Sequence, residues 1–324
     1  MESRVREWAW RRGYEVTWFS GSVLRDALRE IERMKEEEQL SRALLDEHFS
    51  WLSRPEILAQ ADAETIILAA VPRPARVISF EHSGESHELV LPPTYHGYTE
   101  LFEAVRDDLQ EFLERRMGLR VLQAPLKTLA AWSGLARYGR NNLTYVEGFG
   151  SYIQLVGFAA DVPLGESVAA DSSSRSMLER CRKCRACIKA CPVGAISDQR
   201  FLLYADRCLT FHSELDGDLP ASFATLPRRC IVGCMACQES CPENRGRLRI
   251  EPLGERFTEE DTAVILGEAE DTRPSQVLID RVSRLKSSEL QLTSEGPSRS
   301  FRRNLAAVLR HSDRTSAHNL GKVS

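Results

Sequence analysis

The sequence lacks the features of a membrane or exported protein. Its longest mainly apolar run, from Thr65 to Val71, is far too short to span a bilayer. The first residues contain neither the apolar core of a signal peptide nor a twin-arginine signal followed by one. We therefore expect a cytoplasmic protein with no membrane partner.

An excess of basic residues is also absent. The 324 residues carry 43 Lys and Arg against 47 Asp and Glu, a formal net charge of −4. No global basic surface for nucleic acid is therefore expected. With 42% hydrophobic and only 7% aromatic residues, the composition is that of an ordinary globular protein. The length allows two or three domains.

Cysteine is missing from most of the chain, since all nine cysteines lie between Cys181 and Cys241. In a reducing compartment, clustered cysteines are more often metal ligands than disulfides. The run that ends at Pro192 has the spacing C-x2-C-x2-C-x3-C-P, and the run that ends at Pro242 has C-x2-C-x3-C-P. The first matches the bacterial ferredoxin pattern, in which such thiolates surround a 4Fe–4S cube.

The two runs predict two 4Fe–4S clusters that exchange ligands. In two-cluster ferredoxins each cluster takes three ligands from one run and its fourth from the other. The cysteines that this rule gives to the first cluster are Cys181, Cys184, Cys187 and Cys241. Those that it gives to the second cluster are Cys191, Cys234 and Cys237.

The second cluster still lacks one ligand. Ile231 stands where a perfect repeat has a cysteine, and either Cys208 or Cys230 can compensate. A pair of zinc sites is the alternative use of these thiols. Zinc sites need only two C-x2-C pairs and neither the C-x3-C-P endings nor the interleaving, so the pattern favours iron–sulfur clusters.

Strands and helices alternate before the cysteine region. The β-branched run from Thr65 to Val71 predicts a strand buried on both faces. Residues 76–80 and 87–91 flank Ser-Gly-Glu and predict a hairpin. A helix is predicted from Thr99 to about Met117, and another strand over residues 151–158. This alternation predicts a mixed fold of the α+β or α/β class.

With these motifs in view, the chain resembles epoxyqueuosine reductases over roughly residues 60–250. These are cobalamin-dependent iron–sulfur reductases that share a core with reductive dehalogenases. The family's Asp-Tyr-His motif corresponds to residues 94–96, and its Gly-Leu-Gly-Trp-Ile-Gly-Lys-Asn loop to residues 134–141. A Gly-Ser-aromatic strand corresponds to residues 150–152, and the final Gly-Cys-x-x-Cys-Gln-x-x-Cys-Pro motif to residues 233–242.

The resemblance implies a nitroreductase-like domain that holds base-off cobalamin, with the clusters reducing cobalt. It implies an external low-potential electron donor of the ferredoxin or flavodoxin type, and a small-molecule or RNA substrate. Cys208 lies in an Asp-x-Arg-Cys context like that of the family's middle cysteine, which implies that Cys208 is the missing ligand and Cys230 the spare one. The residues implied to contact cobalamin are Arg137, Arg140, Asn141, Ser151 and Tyr152.

The chain departs from the family at the expected proton donor. The family's aspartate lies in a Val-Asp-Thr-Ala-Pro segment, and Leu122 occupies its position here. The Asp of the Asp-Tyr-His motif is replaced by Thr94, which leaves Tyr95 and His96 as candidate acids. We therefore expect a cobalamin-dependent reductase of another substrate. The alternatives are a non-catalytic electron-transfer or cobalamin-carrying protein, and an epoxyqueuosine reductase of tRNA modification with a relocated donor.

These interpretations divide the sequence into four regions. A helical segment is predicted for residues 1–60 and an α/β cobalamin domain for residues 61–170. A ferredoxin-like domain with two clusters is predicted for residues 171–250, opened by the polar linker from Asp171 to Ser176. A second helical segment is predicted for residues 251–324.

Overall fold

The computed structural model describes residues 2–113, 118–164, 177–224 and 226–312. The predicted linker from Asp171 to Ser176 and the predicted helix end at Met117 lie outside the described residues. The chain forms two compact units. The first combines Met1–Arg73, Thr99–Asp206 and Cys237–Arg247, and the second combines Pro74–Tyr98, Arg207–Ala236 and Leu248–Ser324.

Helices and strands are both present, as predicted. The α-helices are α1 (Glu2–Arg11), α2 (Gly21–Glu36), α3 (Arg42–Leu44), α4 (Pro55–Leu58), α5 (Tyr98–Phe112), α6 (Leu126–Trp132), α7 (Ala186–Ala190), α8 (Leu209–Glu214), α9 (Ala221–Ala224), α10 (Ala236–Glu239), α11 (Glu259–Leu266), α12 (Gln276–Ser283) and α13 (Arg299–Ser312). None of the helices in the described ranges combines the length and the apolar character that crossing a bilayer requires.

The strands are mostly short. They are β1 (Glu15–Phe19), β2 (Thr65–Pro72), β3 (Ala75–His82), β4 (Glu85–Leu91), β5 (Arg120–Val121), β6 (Arg137–Tyr138), β7 (Thr144–Tyr145), β8 (Ile153–Ala160), β9 (Ile250–Phe257), β10 (Leu292–Thr293) and β11 (Gly296–Pro297). The strand predicted from Thr65 to Val71 and the hairpin of β3 and β4 are thereby confirmed.

The first unit is built on an antiparallel sheet in the order β1-β2-β8-β5. Successive side chains of β2 enter separate apolar clusters on the two faces. Ile67 joins a cluster with α1 and α5, whereas Ile66 and Leu68 join a cluster with α2 and α6. Burying one such aliphatic side chain contributes about 1.5–3 kcal/mol. The central strand is therefore buried on both faces, as its apolar run predicts.

Strand β1 lies inside the segment that the sequence predicts to be helical. Its partner β2 is far away in the sequence, with Glu15 opposite Ala70 and Phe19 opposite Ile66. A strand of five residues between two helices has little periodic signal of its own, and its pairing is not local. Helix α2 then begins at Ser20, whose hydroxyl accepts from the backbone of Ser22.

The second unit contains the hairpin β3–β4, with β9 parallel to β3 on its other edge. Ser83 and Gly84 form its two-residue turn with φ of 53° and 75°, which is the left-handed pair of a type I′ turn. The carboxylate of Glu259 accepts from both turn amides, at 2.6 and 3.2 Å. Helices α11, α12 and α13 cover the sheet with an apolar core that includes Ile231.

Both units are assembled from separated pieces of sequence. The cysteine region contributes residues 181–206 and 237–241 to the first unit and residues 207–236 to the second. The four regions predicted from the sequence, with boundaries after residues 60, 170 and 250, are continuous stretches of chain. This division stays a prediction.

Candidate metal centre

Short turns present the cysteines of the first run. The amide of Cys184 donates to the Arg180 carbonyl at 3.1 Å, and the amide of Cys191 donates to the Cys187 carbonyl at the end of α7 at 3.1 Å. Cys191 is extended and is followed by Pro192. Because proline cannot continue the helix, the chain turns away after the fourth cysteine.

The four thiols predicted for the first cluster line one cavity of the first unit. The cysteines that line this cavity are Cys181, Cys184, Cys187 and Cys241. The loop of residues 139–141, Tyr145, Ala186 and Pro242 complete the wall. Three ligands from the first run and one from the second thus meet at one place, as the ferredoxin rule predicts.

The arrangement of the thiols suits a cluster better than a single ion. A zinc ion needs four ligand atoms at about 2.0–2.3 Å from a common centre. A 4Fe–4S cube instead fills the space between its thiolates, which is what a cavity walled by four cysteines offers.

Arg140 supplies hydrogen-bond donors at this cavity. Its guanidinium donates to the Cys181 carbonyl at 2.6 Å, while its buried Nε has no acceptor among the described residues. Burial raises the pKa of the Cys181 thiol, and the Arg140 backbone N–H, which donates to that thiol, opposes the rise. A cluster sulfur atom in the cavity is the kind of acceptor that Nε lacks, so the residues present fit an iron–sulfur cluster.

Tyr145 and Asn141 form a second set of contacts with the ligands. Burial and a hydrogen bond with the Cys241 thiol raise the pKa of Tyr145 far above its ordinary value. The Asn141 amide donates to the Tyr145 hydroxyl at 3.0 Å. Gly139 allows this packing, because a Cβ there would lie 2.4 Å from the Tyr145 ring and 2.5 Å from Asn141 Oδ1.

A buried amide network holds the second cysteine run against the sheet of the first unit. Asn244 donates to the Ser151 hydroxyl at 2.8 Å and accepts from the Ser151 amide at 2.9 Å. Gln238, which lies between Cys237 and Cys241, donates to the same hydroxyl at 3.1 Å. These contacts fix the backbone that carries two predicted ligands.

The cysteines predicted for the second cluster are divided between the two units. Cys191 and Cys237 belong to the first unit, and Cys208 and Cys234 to the second. In the first unit, the Cys191 thiol accepts from the Ala195 amide at 3.2 Å.

Cys208 and Cys230, the two candidates for the missing ligand, lie in different surroundings of the second unit. Cys208 is half-buried and precedes α8. Cys230 is buried and forms a β-bridge with Val90, where the Val90 amide donates to the Arg229 carbonyl at 2.7 Å. Ile231, the residue at the position expected for a ligand, lies in the apolar core.

Comparisons with known proteins identify the cysteine region. Residues 180–244 match the family described as a 4Fe-4S double cluster binding domain. Two 4Fe–4S clusters are therefore the metal centres that this chain's sequence specifies.

Sequence and fold comparisons agree on the relatives of the chain. An epoxyqueuosine reductase of Pseudomonas aeruginosa is 30% identical over 214 residues, which are 61% of this chain and 56% of the relative. An epoxyqueuosine reductase of Bacillus subtilis is 29% identical over 121 residues, which are 37% of this chain and 29% of the relative. The solved epoxyqueuosine reductase of Streptococcus thermophilus has a TM-score of 0.68 at 19% identity, over 96% of this chain and 81% of that one. The chain is similar to epoxyqueuosine reductases in sequence and in fold.

The predicted resemblance to epoxyqueuosine reductases and the predicted mixed α/β fold are thus confirmed. The chain matches less than two thirds of the length of these two curated relatives.

The side chains that the resemblance with epoxyqueuosine reductases assigns to cobalamin are mostly engaged inside the first unit. Asn141 and Ser151 are buried and make the hydrogen bonds described above. Tyr152 is buried, and Arg140 lies at the first cluster cavity. Only Arg137 of the five has an exposed side chain. The assignment of all five residues to cobalamin stays a prediction.

The position of the aspartate in epoxyqueuosine reductases is an apolar core position here. Leu122 is only 2% exposed and packs between α2, α6 and the sheet. Its amide donates to the Gly157 carbonyl at 2.8 Å, and its side chain lies close to that glycine. The side chain at position 122 therefore cannot act as an acid.

The two candidate acids of the second unit have different partners. The Tyr95 hydroxyl donates to the Glu214 carboxylate, and its ring packs on Gly233, where a Cβ would lie 2.7 Å from Cε2. Burial and then Glu214 raise the pKa of Tyr95 well above its ordinary value. His96 Nδ1 lies 2.8 Å from the Leu285 carbonyl. Since a carbonyl only accepts, this nitrogen is the donor in that contact, and the role of His96 as an acid stays a prediction.

Sequence reasoning missed several residues of these sites, above all Glu214, Tyr145 and Asn244. Glu214 follows Cys208 by six residues at the end of α8 and belongs to no motif. Tyr145 and Asn244 are single polar residues whose importance depends on partners distant in the sequence. Gly139 lies inside the recognised loop, and a glycine there already signals a close approach.

Proposed function

We propose that this chain is a cobalamin-dependent iron–sulfur reductase in which two 4Fe–4S clusters pass electrons to the cofactor. An external low-potential donor would supply the electrons. The observation that carries the proposal is the cavity walled by four cysteines from both runs. The match of residues 180–244 to a double cluster domain and the similarity to epoxyqueuosine reductases support it. When bound, cobalamin supplies a low-valent cobalt as reductant.

Tyr95 is the proton donor of this proposal, and Glu214 is its positioning residue. The hydrogen bond between them orients the Tyr95 hydroxyl. The raised pKa keeps Tyr95 protonated at neutral pH. An acid as weak as Tyr95 protonates only a strongly basic atom. Reductive cleavage of a bond produces strongly basic atoms, because it leaves a carbanion or an alkoxide. The proton that Leu122 cannot supply would therefore come from Tyr95.

An anaerobic titration with hydroxocobalamin tests cofactor binding. We expect a blue-shifted visible spectrum, which is typical of the base-off form. Arg137→Ala should weaken binding, because Arg137 alone of the predicted contacts has an exposed side chain. Arg42→Ala, which alters a side chain that is 94% exposed, is the control. A spectrum that does not change with added hydroxocobalamin would remove this proposal and favour a non-catalytic electron-transfer protein.

A second candidate function is reduction of epoxyqueuosine in tRNA with a relocated proton donor. The curated relatives quoted above are epoxyqueuosine reductases, and one solved structure of such an enzyme contains an epoxyqueuosine-modified tRNA stem loop. The Tyr95–Glu214 pair would replace the missing aspartate. Incubation of the reduced holoprotein with such a stem loop, followed by nucleoside mass spectrometry, should yield queuosine if this candidate is right. An unchanged stem loop would leave another substrate as the answer.

Two variants test the proton donor once a substrate is reduced. Tyr95→Phe should abolish turnover while cluster and cobalamin spectra persist. Glu214→Gln removes the charge that raises the Tyr95 pKa, so the alkaline limb of the pH–rate profile should move to lower pH. Full activity of Tyr95→Phe, or a profile of Glu214→Gln that does not move, would contradict this assignment.

A further inference from the structure

The half-buried side chain of Arg228 in the second unit has two buried nitrogens without acceptors. Among the residues that the structure describes, its Nε and Nη2 are buried and find no hydrogen-bond partner. A buried donor without an acceptor costs about 1–3 kcal/mol, and more when the group is charged. Arg228 in this state therefore points to an acceptor that the described residues do not provide.

The surroundings of Arg228 increase this cost. Burial and the charges of Arg303 and Arg310 lower the pKa of Arg228 to about 10, so the side chain is still a cation at neutral pH. Arg303 is itself a cation and does not neutralise Arg228. Its guanidinium donates to backbone carbonyls, such as that of His212 at 2.9 Å. The neighbouring positive charges raise the free-energy cost of burying the Arg228 cation, and an anionic partner would offset that cost.

Two cysteines, Cys230 and Cys234 of the second run, act as anionic groups on Arg228. The thiolates of Cys230 and Cys234 are the groups that raise its pKa, in opposition to burial and to the two arginines. Cys234 is a predicted ligand of the second cluster. A 4Fe–4S cube with four thiolates carries a net negative charge, and this charge grows by one when the cluster is reduced. Its sulfur atoms also accept hydrogen bonds.

We propose that Arg228 is the counter-cation of the second 4Fe–4S cluster and donates from its Nε and Nη2 to sulfur atoms beside Cys234. Arg228 is thus a residue that sets the reduction potential of this cluster. The inference rests on the two clusters and on neither cobalamin nor a substrate. It holds whether Cys208 or Cys230 is the fourth ligand.

The electronic consequence has a definite sign. A cation and N–H donors beside the cluster stabilise the reduced form, which has one more negative charge, and so raise the potential. Arg228→Gln removes the charge and should shift the equilibrium towards the oxidised form by about tenfold, which is about 59 mV for one electron. Arg228→Lys keeps the charge and should recover most of the difference.

The test is an anaerobic redox titration of the holoprotein, followed by electron paramagnetic resonance of the reduced clusters. We expect one cluster signal of Arg228→Gln to move to lower potential while the other stays in place. Arg299→Gln alters an exposed arginine of the same unit, 67% exposed, and should move neither signal. Unchanged potentials in Arg228→Gln, or equal shifts of both signals, would overturn the proposal.

A second variant keeps the proposal testable if Arg228→Gln does not fold. Arg228→Met removes the charge but fills a similar volume. If Arg228 pairs with the cluster, this variant should lower the potential of one cluster and should not raise the melting temperature of the holoprotein. If Arg228 is an unpaired buried cation, Met should raise the melting temperature and leave both potentials unchanged, and that result would refute the pairing.

Discussion

Replacing Leu122 by aspartate should not create a usable acid in this chain. Leu122 is 2% exposed within the apolar cluster between the sheet and helices α2 and α6. Burial in such a place raises a carboxyl pKa from about 4 to about 7 or higher. Since one pH unit corresponds to about 1.36 kcal/mol, keeping the group charged would cost about 4 kcal/mol. The loss of the buried leucine adds about 2 kcal/mol.

The cost of Leu122→Asp should depend on pH with a definite sign. The folded-state pKa of the introduced carboxyl is raised, so the folded protein retains a proton that the unfolded chain releases. The charge-related loss of stability is therefore absent below about pH 4, grows as the pH rises, and is complete above about pH 7. Leu122→Asn introduces a side chain of the same shape as aspartate that does not titrate. The loss of stability in this variant should therefore not vary with pH.

Urea denaturation at several pH values, followed by tryptophan fluorescence, measures these differences. Val121→Asp is the matched control, because the neighbouring side chain is 48% exposed and an exposed substitution changes stability by only about 0.5 kcal/mol. If Leu122→Asp were as stable as Val121→Asp and independent of pH, position 122 would reach solvent. The reasoning that an acid at position 122 would be buried in an apolar core would then be wrong.

Further predictions concern the metal centre. Gly139→Ala should lower the iron content from about eight to about four per chain, because the added Cβ would overlap Tyr145 beside the first cluster. The control Gly118→Ala, which adds a Cβ in open space, should retain about eight irons. Cys208→Ser should lose one cluster while Cys230→Ser keeps both, and the reverse iron contents would make Cys230 the ligand. Asn244→Ala should destabilise the protein by about 1–3 kcal/mol, since it leaves the buried amide of Ser151 unpartnered; an unchanged melting temperature would contradict this role.

Local patterns in the sequence were sufficient for the metal centre and the central strand. Cysteine spacing follows from the geometry of the cube, so the ligands of the first cluster could be grouped without coordinates. The long apolar run at Thr65 likewise predicts a strand buried on both faces, and β2 has that environment. In both cases the prediction depends only on residues that are close together in the sequence.

Features that depend on distant pairing could not be predicted. Strand β1 exists because Glu15 to Phe19 pair with β2 some fifty residues later. Glu214 acquires a role only because the fold brings it to the Tyr95 hydroxyl. Arg228 stands out only when its buried Nε and Nη2 are seen to lack an acceptor within the described part of the chain. None of these residues has a spacing that distinguishes it from an ordinary polar or charged residue.

Electron transfer from the clusters to bound cobalamin is the measurement that tests the proposed function most directly. The reconstituted holoprotein, loaded with hydroxocobalamin and mixed anaerobically with a low-potential reductant, can be followed by stopped-flow absorbance. We predict that the clusters are reduced first and are then reoxidised as the spectrum of reduced cobalamin appears. Clusters that remain reduced beside unchanged cobalamin would contradict the proposal that this chain is a cobalamin-dependent reductase.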